Sequence, residues 1–166
     1  GETTHMQTVP FGNTGFDTSR LGVGLSEIGS QLEISDQDQA TSVLNTALDS
    51  GINFLDTSAC YGISEELVGV GVSNRRDDYF LATKAGHSVL GYEGEEWTYQ
   101  TVVDSIDRSL KLLQTDHVDL VQLHSCGIDV LEKGDVIRAI QEAEQAGKPR
   151  FIGYSGDNEA AHWAVD

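Results

Sequence analysis

Positive charge is scarce in this chain. Ten lysines and arginines face 27 aspartates and glutamates, a formal net charge of −17. Nucleic-acid binding depends on neutralising phosphates with Lys and Arg, so the balance argues against it, and equally against docking on anionic membrane surfaces. A solvated acidic surface accounts for the charge. Adaptation to a salty habitat, with only Lys84, Lys111, Lys133 and Lys148 as lysines, is the alternative. Long apolar runs are missing too: none approaches the roughly 20 residues of a membrane span. No basic segment leading into an apolar one marks a secretory leader. Cysteine is limited to Cys60 and Cys126, whose spacing fits neither a zinc site nor a thioredoxin-type pair. A reducing, cytoplasmic compartment is the expectation.

What remains is ample for a folded core. The 166 residues are 39% hydrophobic and 22% charged, a globular composition. A chain of about 150 residues buries roughly 70% of its unfolded surface. Residues 1–5 are unpatterned and read as a scar of cloning, with Met6 as the natural start and residues 6–166 as one unit.

After the turn-rich "PFGNTGFDTS", strand-like segments alternate with helical ones. The strands are expected at 20–26, 52–56, 78–84, 117–124 and 150–155. Between them, Ala40, Val43, Leu44, Ala47 and Leu48 form one helical stripe, with Ser35 or Asp36 as cap and Gly51 as stop. Val102, Val103, Ile106, Leu110 and Leu113 form a second behind a Thr98 cap, and Val136, Ile137, Ile140 and Ala143 a third, closed by Gly147 and Pro149. A shorter helix starts at Ser64, with Glu65 and Glu66 suiting its positive end. Strand–helix repetition of this kind means βαβ units and a parallel sheet. "GVGLSEIG" lacks the G-x-G-x-x-G spacing of a doubly wound dinucleotide fold. Polar residues sit instead after successive strands, the habit of a (β/α)8 TIM-type barrel. Such a barrel takes about 250 residues, so five units make a partial barrel: a fragment, a truncated gene, or a half completed by association through unclosed sheet edges.

Four residues fall on the expected rim: Asp56 and Tyr61 in "INFLDTSACYG", Lys84 in "FLATKAG" and His124 in "HVDLVQLH". Each has an ordinary reading, respectively a strand-end cap, a loop aromatic, a solvated charge and a core histidine. Together they make a proton-donating site for a carbonyl oxygen. A phenol titrates near ~10, and an adjacent ammonium eases loss of its proton. A buried lysine keeps its charge only beside a carboxylate, which Asp56 supplies, and a histidine can donate to a developing alkoxide. No side chain delivers hydride, so a redox version needs a nicotinamide.

In the order and spacing of "GINFLDTSACYG", "FLATKAG", "HVDLVQLHS" and "RFIGYSGDN", the chain resembles the aldo-keto reductases from about residue 7 to 166. The resemblance implies the N-terminal part of a (β/α)8 barrel that reduces an aldehyde or ketone with NADPH, or less often NADH. It assigns Asp56, Tyr61, Lys84 and His124 to the catalytic tetrad, with Tyr61 as general acid. It places Ser155 at the nicotinamide carboxamide. The asparagine usual beside that serine is replaced by Gly156, followed by Asp157 and Asn158, and Asp157 is carried as a second cofactor-side residue. The expected partner is a small carbonyl compound. Two other readings stand beside this one: a truncated, inactive member serving as a binding or assembly module, and a metal-dependent hydrolase on the same barrel. No H-x-H or C-x-x-C pair supports a metal held by His87, His124 and the cysteines. A Cys60–Cys126 disulfide across the mouth is an alternative to two free thiols, against strict geometry and a reducing compartment.

Overall fold

The computed structural model describes residues 6–89 and 92–156. Its centre is a five-stranded parallel sheet in chain order: β3 (Val23–Gly24), β4 (Phe54–Asp56), β5 (Phe80–Ala85), β6 (Val118–His124) and β7 (Pro149–Ser155). All five expected strands are present. The first is shorter than its 20–26 span, because Ser19 belongs to a preceding strand and Leu21 is 60% exposed. That preceding strand, β2 (Asp17–Ser19), pairs antiparallel with β1 (Thr8–Pro10), so the turn-rich stretch is the tip of a hairpin. Phe11 and Phe16 from the tip meet Phe54 and Phe80 at ring separations of 5.0–5.6 Å. This aromatic plug sits at the N-terminal ends of β4 and β5 and leaves their C-terminal ends open.

Helices α1 (Ser26–Gln31), α2 (Gln37–Asp49), α3 (Ser64–Val72), α4 (Tyr99–Leu113), α5 (Ile128–Lys133) and α6 (Asp135–Gln145) fill the connections. Neighbouring helices pack on one another in chain order, α2 on α3, α3 on α4 and α4 on α6. Alternation along the strands decides which face they cover. Leu55, Leu81, Val121 and Leu123 point into the helix-side core with Leu44, Val72, Ile106 and Ile140. Phe54 and Asp56, Ala82 and Lys84, and Leu120, Gln122 and His124 therefore fall on the opposite, inner face. The Thr98 hydroxyl caps α4 by accepting from Thr101 N at 3.1 Å, and Gly51 at φ +90° follows α2. Asp36 serves the preceding short turn instead of α2, accepting from Glu33 N at 2.9 Å. Among the described residues no helix is long and apolar enough to cross a membrane.

Candidate active site

The pairing register delivers the rim residues in a staggered row. Asp56 pairs with Ala82, Lys84 lies two residues further along β5 opposite Gln122, and His124 ends β6 opposite Ser155. Beyond β4 the chain keeps to the sheet for two more bonds, Thr57 N to Ala82 O at 2.9 Å and Ala59 N to Lys84 O at 3.3 Å. It then turns through Tyr61 and Gly62. That turn is pinned by contact with α1. A Cβ on Gly29 would lie 1.7 Å from Tyr61 O, and one on Gly62 (φ +56°) would lie 2.1 Å from Gly29 O. Only glycine admits this approach, and Ile63 N donates across it to Gly29 O at 3.2 Å.

Lys84 is 5% exposed. Its Nζ donates to Asp56 Oδ1 at 2.8 Å and to Thr57 O at 3.0 Å, and lies 5.0 Å from the centre of the Tyr61 ring. A carboxylate and a carbonyl thus pair and satisfy a cationic side chain that is buried from water. The Tyr61 and His124 rings stand edge to face at 6.0 Å. Burial first, then the neighbouring His87 and Lys84, hold the His124 imidazole below its usual 6.5, against the opposing pull of Asp56. The structure therefore brings Asp56, Tyr61, Lys84 and His124 to one mouth. Ser155 stands beside His124, its carbonyl accepting from Ser125 N at 2.6 Å. Asp157 lies outside the described residues.

Of the other residues at this mouth, the sequence points to His87 and Cys60 only as metal-ligand or disulfide candidates, and to Ser58 not at all. The His87 ring packs 5.0 Å from His124 and 4.8 Å from Trp97, with Nδ1 3.4 Å from Glu96 Oε1. Ser58 and Cys60 both face His124 Nδ1. Their signal is period-two spacing, Asp56–Ser58–Cys60, which carries strand alternation into the loop. A recess of about 320 Å³ lies between the 59–63 loop, Ser88 and Val89, and Arg108 of α4. Cys60 and Cys126 are separate thiols. Cys126 is 2% exposed and turned into the core, where burial pushes its thiol up to about 11, while Cys60 faces the mouth. Among the described residues no group of three or more His, Cys, Asp or Glu side chains gathers as metal ligands.

Behind the sheet, Glu65 lies in the first turn of α3, as expected, and is buried there. It is 2% exposed, and its Oε2 accepts from Thr83 Oγ1 at 2.7 Å. Burial raises its carboxyl above the usual 4.5, opposed by Thr83, Ser109 and the Arg108 charge. The opposing Ser109 hydroxyl is near but incompletely engaged, since neither it nor Glu65 Oε1 completes a hydrogen bond of ordinary geometry.

Known proteins share this pattern of sequence and fold. The model of the aldo/keto reductase family matches residues 20–164. The chain is 38% identical over 160 residues to L-galactose dehydrogenase of Arabidopsis thaliana, covering 92% of this chain and 49% of the relative. It is 33% identical over 162 residues to aldo-keto reductase YhdN of Bacillus subtilis, covering 90% and 47%. The solved aldo-keto reductase AKR11C1 of Bacillus halodurans (holo form) superposes with a TM-score of 0.79 at 34% identity, covering 92% of this chain and 51% of that one. The chain spans about half the length of the curated relatives it matches. Its five parallel strands are a partial barrel of the TIM type.

Proposed function

The chain belongs to the aldo/keto reductase family of oxidoreductases, and on that basis we propose that residues 6–166 are the N-terminal part of an enzyme reducing an aldehyde or ketone with NADPH. The observation that carries this reading is the buried Lys84 ammonium, held by Asp56 at 2.8 Å and set against the Tyr61 ring. Tyr61 gives its phenolic proton to the carbonyl oxygen, and Lys84 stabilises the phenolate left behind. Asp56 keeps Lys84 charged. His124, neutral at physiological pH, orients the carbonyl by donating to its oxygen. A reduced nicotinamide, when bound, supplies the hydride that reaches the carbonyl carbon. Ser155 suits its carboxamide because β7 ends with that hydroxyl-bearing residue beside His124, and Asp157, two residues on in the sequence, is the second cofactor-side residue. The substrate is a small carbonyl compound, and the compartment is cytoplasmic.

Transfer of label tests the reaction class. Incubated with [4,4-²H₂]NADPH and a small aldehyde, the full-length enzyme containing residues 6–166 is expected to yield alcohol carrying deuterium on the former carbonyl carbon. Absence of alcohol, or alcohol without deuterium, overturns the proposal.

One observation favours a second reading. β7 is paired on one side by β6 and forms the last strand of an open sheet among the described residues. An open edge invites pairing with another chain, so a module that associates through β7 would sediment as a dimer or larger.

A further inference from the structure

We propose that Ser58 and Cys60 are positioning residues that together lock His124 as the Nε2–H tautomer, engaging Nδ1 as an acceptor and leaving the proton on the nitrogen available to a carbonyl oxygen. The catalytic consequence rests on the reductase reading; the tautomer itself does not.

The assignment follows from an inventory of donors. Among the described residues, His124 Nδ1 has two partners, Ser58 Oγ at 3.4 Å and Cys60 Sγ at 3.3 Å. Neither is a carboxylate or a carbonyl, the groups that would demand a proton on Nδ1. Both carry a proton of their own to offer. Ser58 Oγ also accepts from Cys60 N at 3.3 Å and lies 3.2 Å from Cys60 Sγ. With that backbone N–H already pointing at its lone pairs, the hydroxyl proton has two places to go: a thiol sulfur, which is a weak acceptor, or an imidazole nitrogen, which is a good one. The imidazole wins, and the thiol proton adds a second, weaker donor to the same nitrogen.

Position and charge agree with this. Ser58 is 1% exposed, and the sheet-like bonds of Thr57 and Ala59 to β5 fix its backbone on both sides. An imidazolium would have to donate from Nδ1 toward two groups better suited to giving protons. Burial, His87 and Lys84 also oppose that charge, with Asp56 alone favouring it. Each bond is long, so the bias is modest. Roughly one net hydrogen bond corresponds to a tautomer ratio of about ten to one.

Long-range ¹H–¹⁵N correlation spectra of the imidazoles in the uniformly ¹⁵N-labelled 166-residue chain test the lock directly. Resonances of His124 are identified by their loss in His124→Gln. At about pH 7.5, above the ordinary imidazole range, the wild-type chain is expected to show the Nε2–H pattern. In the Ser58→Ala, Cys60→Ala double variant the ring should move toward the mixed population of a free imidazole, and Ser58→Thr should restore the wild-type pattern. A wild-type Nδ1–H or mixed pattern overturns the proposal before any variant is made. A double variant whose pattern is unchanged from wild type overturns it as well. Should the double variant fail to fold, the wild-type spectrum and Cys60→Ala alone still decide, with a shift toward the mixed pattern supporting the lock. No cofactor or turnover enters these spectra, so failure of the reductase reading would leave their outcome unaffected.

Discussion

Lys84 Nζ lies 2.8 Å from Asp56 Oδ1, yet the two side chains differ sharply in environment, 6% exposed for the lysine and 41% for the aspartate. The pair is therefore asymmetric: the ammonium depends on the carboxylate far more than the reverse. Asp56→Asn leaves a buried cation with only the Thr57 carbonyl. It is expected to cost about 1–3 kcal/mol, less than the roughly 3–5 for a wholly buried pair because water reaches Asp56. Lys84→Met removes the buried charge itself and should stay within about 1 kcal/mol of wild type. Urea unfolding of both variants checks the contrast; equal costs would contradict it.

The neutral state of His124 has a sign that can be measured. Its folded-state value is held below 6.5, so the unfolded chain takes up a proton first as pH falls. The associated stability is complete above pH 6.5 and is lost as pH falls through the folded value. An NMR titration should place the His124 midpoint below 6.5. His87→Ala removes the neighbouring ring that opposes protonation of His124 and should raise that midpoint, and an unchanged or lower midpoint would contradict the coupling.

Glu65 behaves in the opposite sense. Burial raises its folded value above 4.5, so the folded chain holds the proton more tightly than the unfolded one. This contribution is complete below pH 4.5 and is lost as pH rises through the folded value. Glu65→Gln keeps an acceptor for Thr83 without the charge. Its stability relative to wild type should therefore improve as pH rises from 4.5 through the folded value. A difference that does not vary with pH would show that Glu65 is not held toward its neutral form.

The Gly29–Gly62 contact predicts a backbone effect felt at Tyr61. In Gly29→Ala the new methyl would meet Tyr61 O at 1.7 Å, so α1 or the loop must shift. The expected cost is about 1–3 kcal/mol, with Tyr61 ring resonances displaced. Wild-type stability with unmoved Tyr61 signals would show that the loop is not pinned there.

The legible parts of this chain are those that repeat. Strands such as Phe80–Ala85, buried along their whole length, read as apolar runs, and α2, α4 and α6 announce themselves by their stripes. β1 is three exposed residues, and α1 and α5 are six residues each, too short for a period to show. The tetrad positions are readable because Asp56, Lys84 and His124 close apolar strands and Tyr61 sits in the loop that follows the first of them. The environment of Glu65 is not, because its burial depends on Thr83, 18 residues away on β5. The roles of Ser58, Cys60 and His87 beside His124 are hidden for the same reason: what gives them meaning is a ring from β6, more than 30 residues on.

The central claim is that Tyr61 is the proton donor and that Asp56, Lys84 and His124 serve it. NADPH consumption with a small aldehyde, measured for wild type and Tyr61→Phe alongside calorimetric NADPH affinity, tests it most directly. Turnover should fall by at least about 100-fold while NADPH affinity stays unchanged within error. A phenylalanine variant that turns over like wild type would contradict the account.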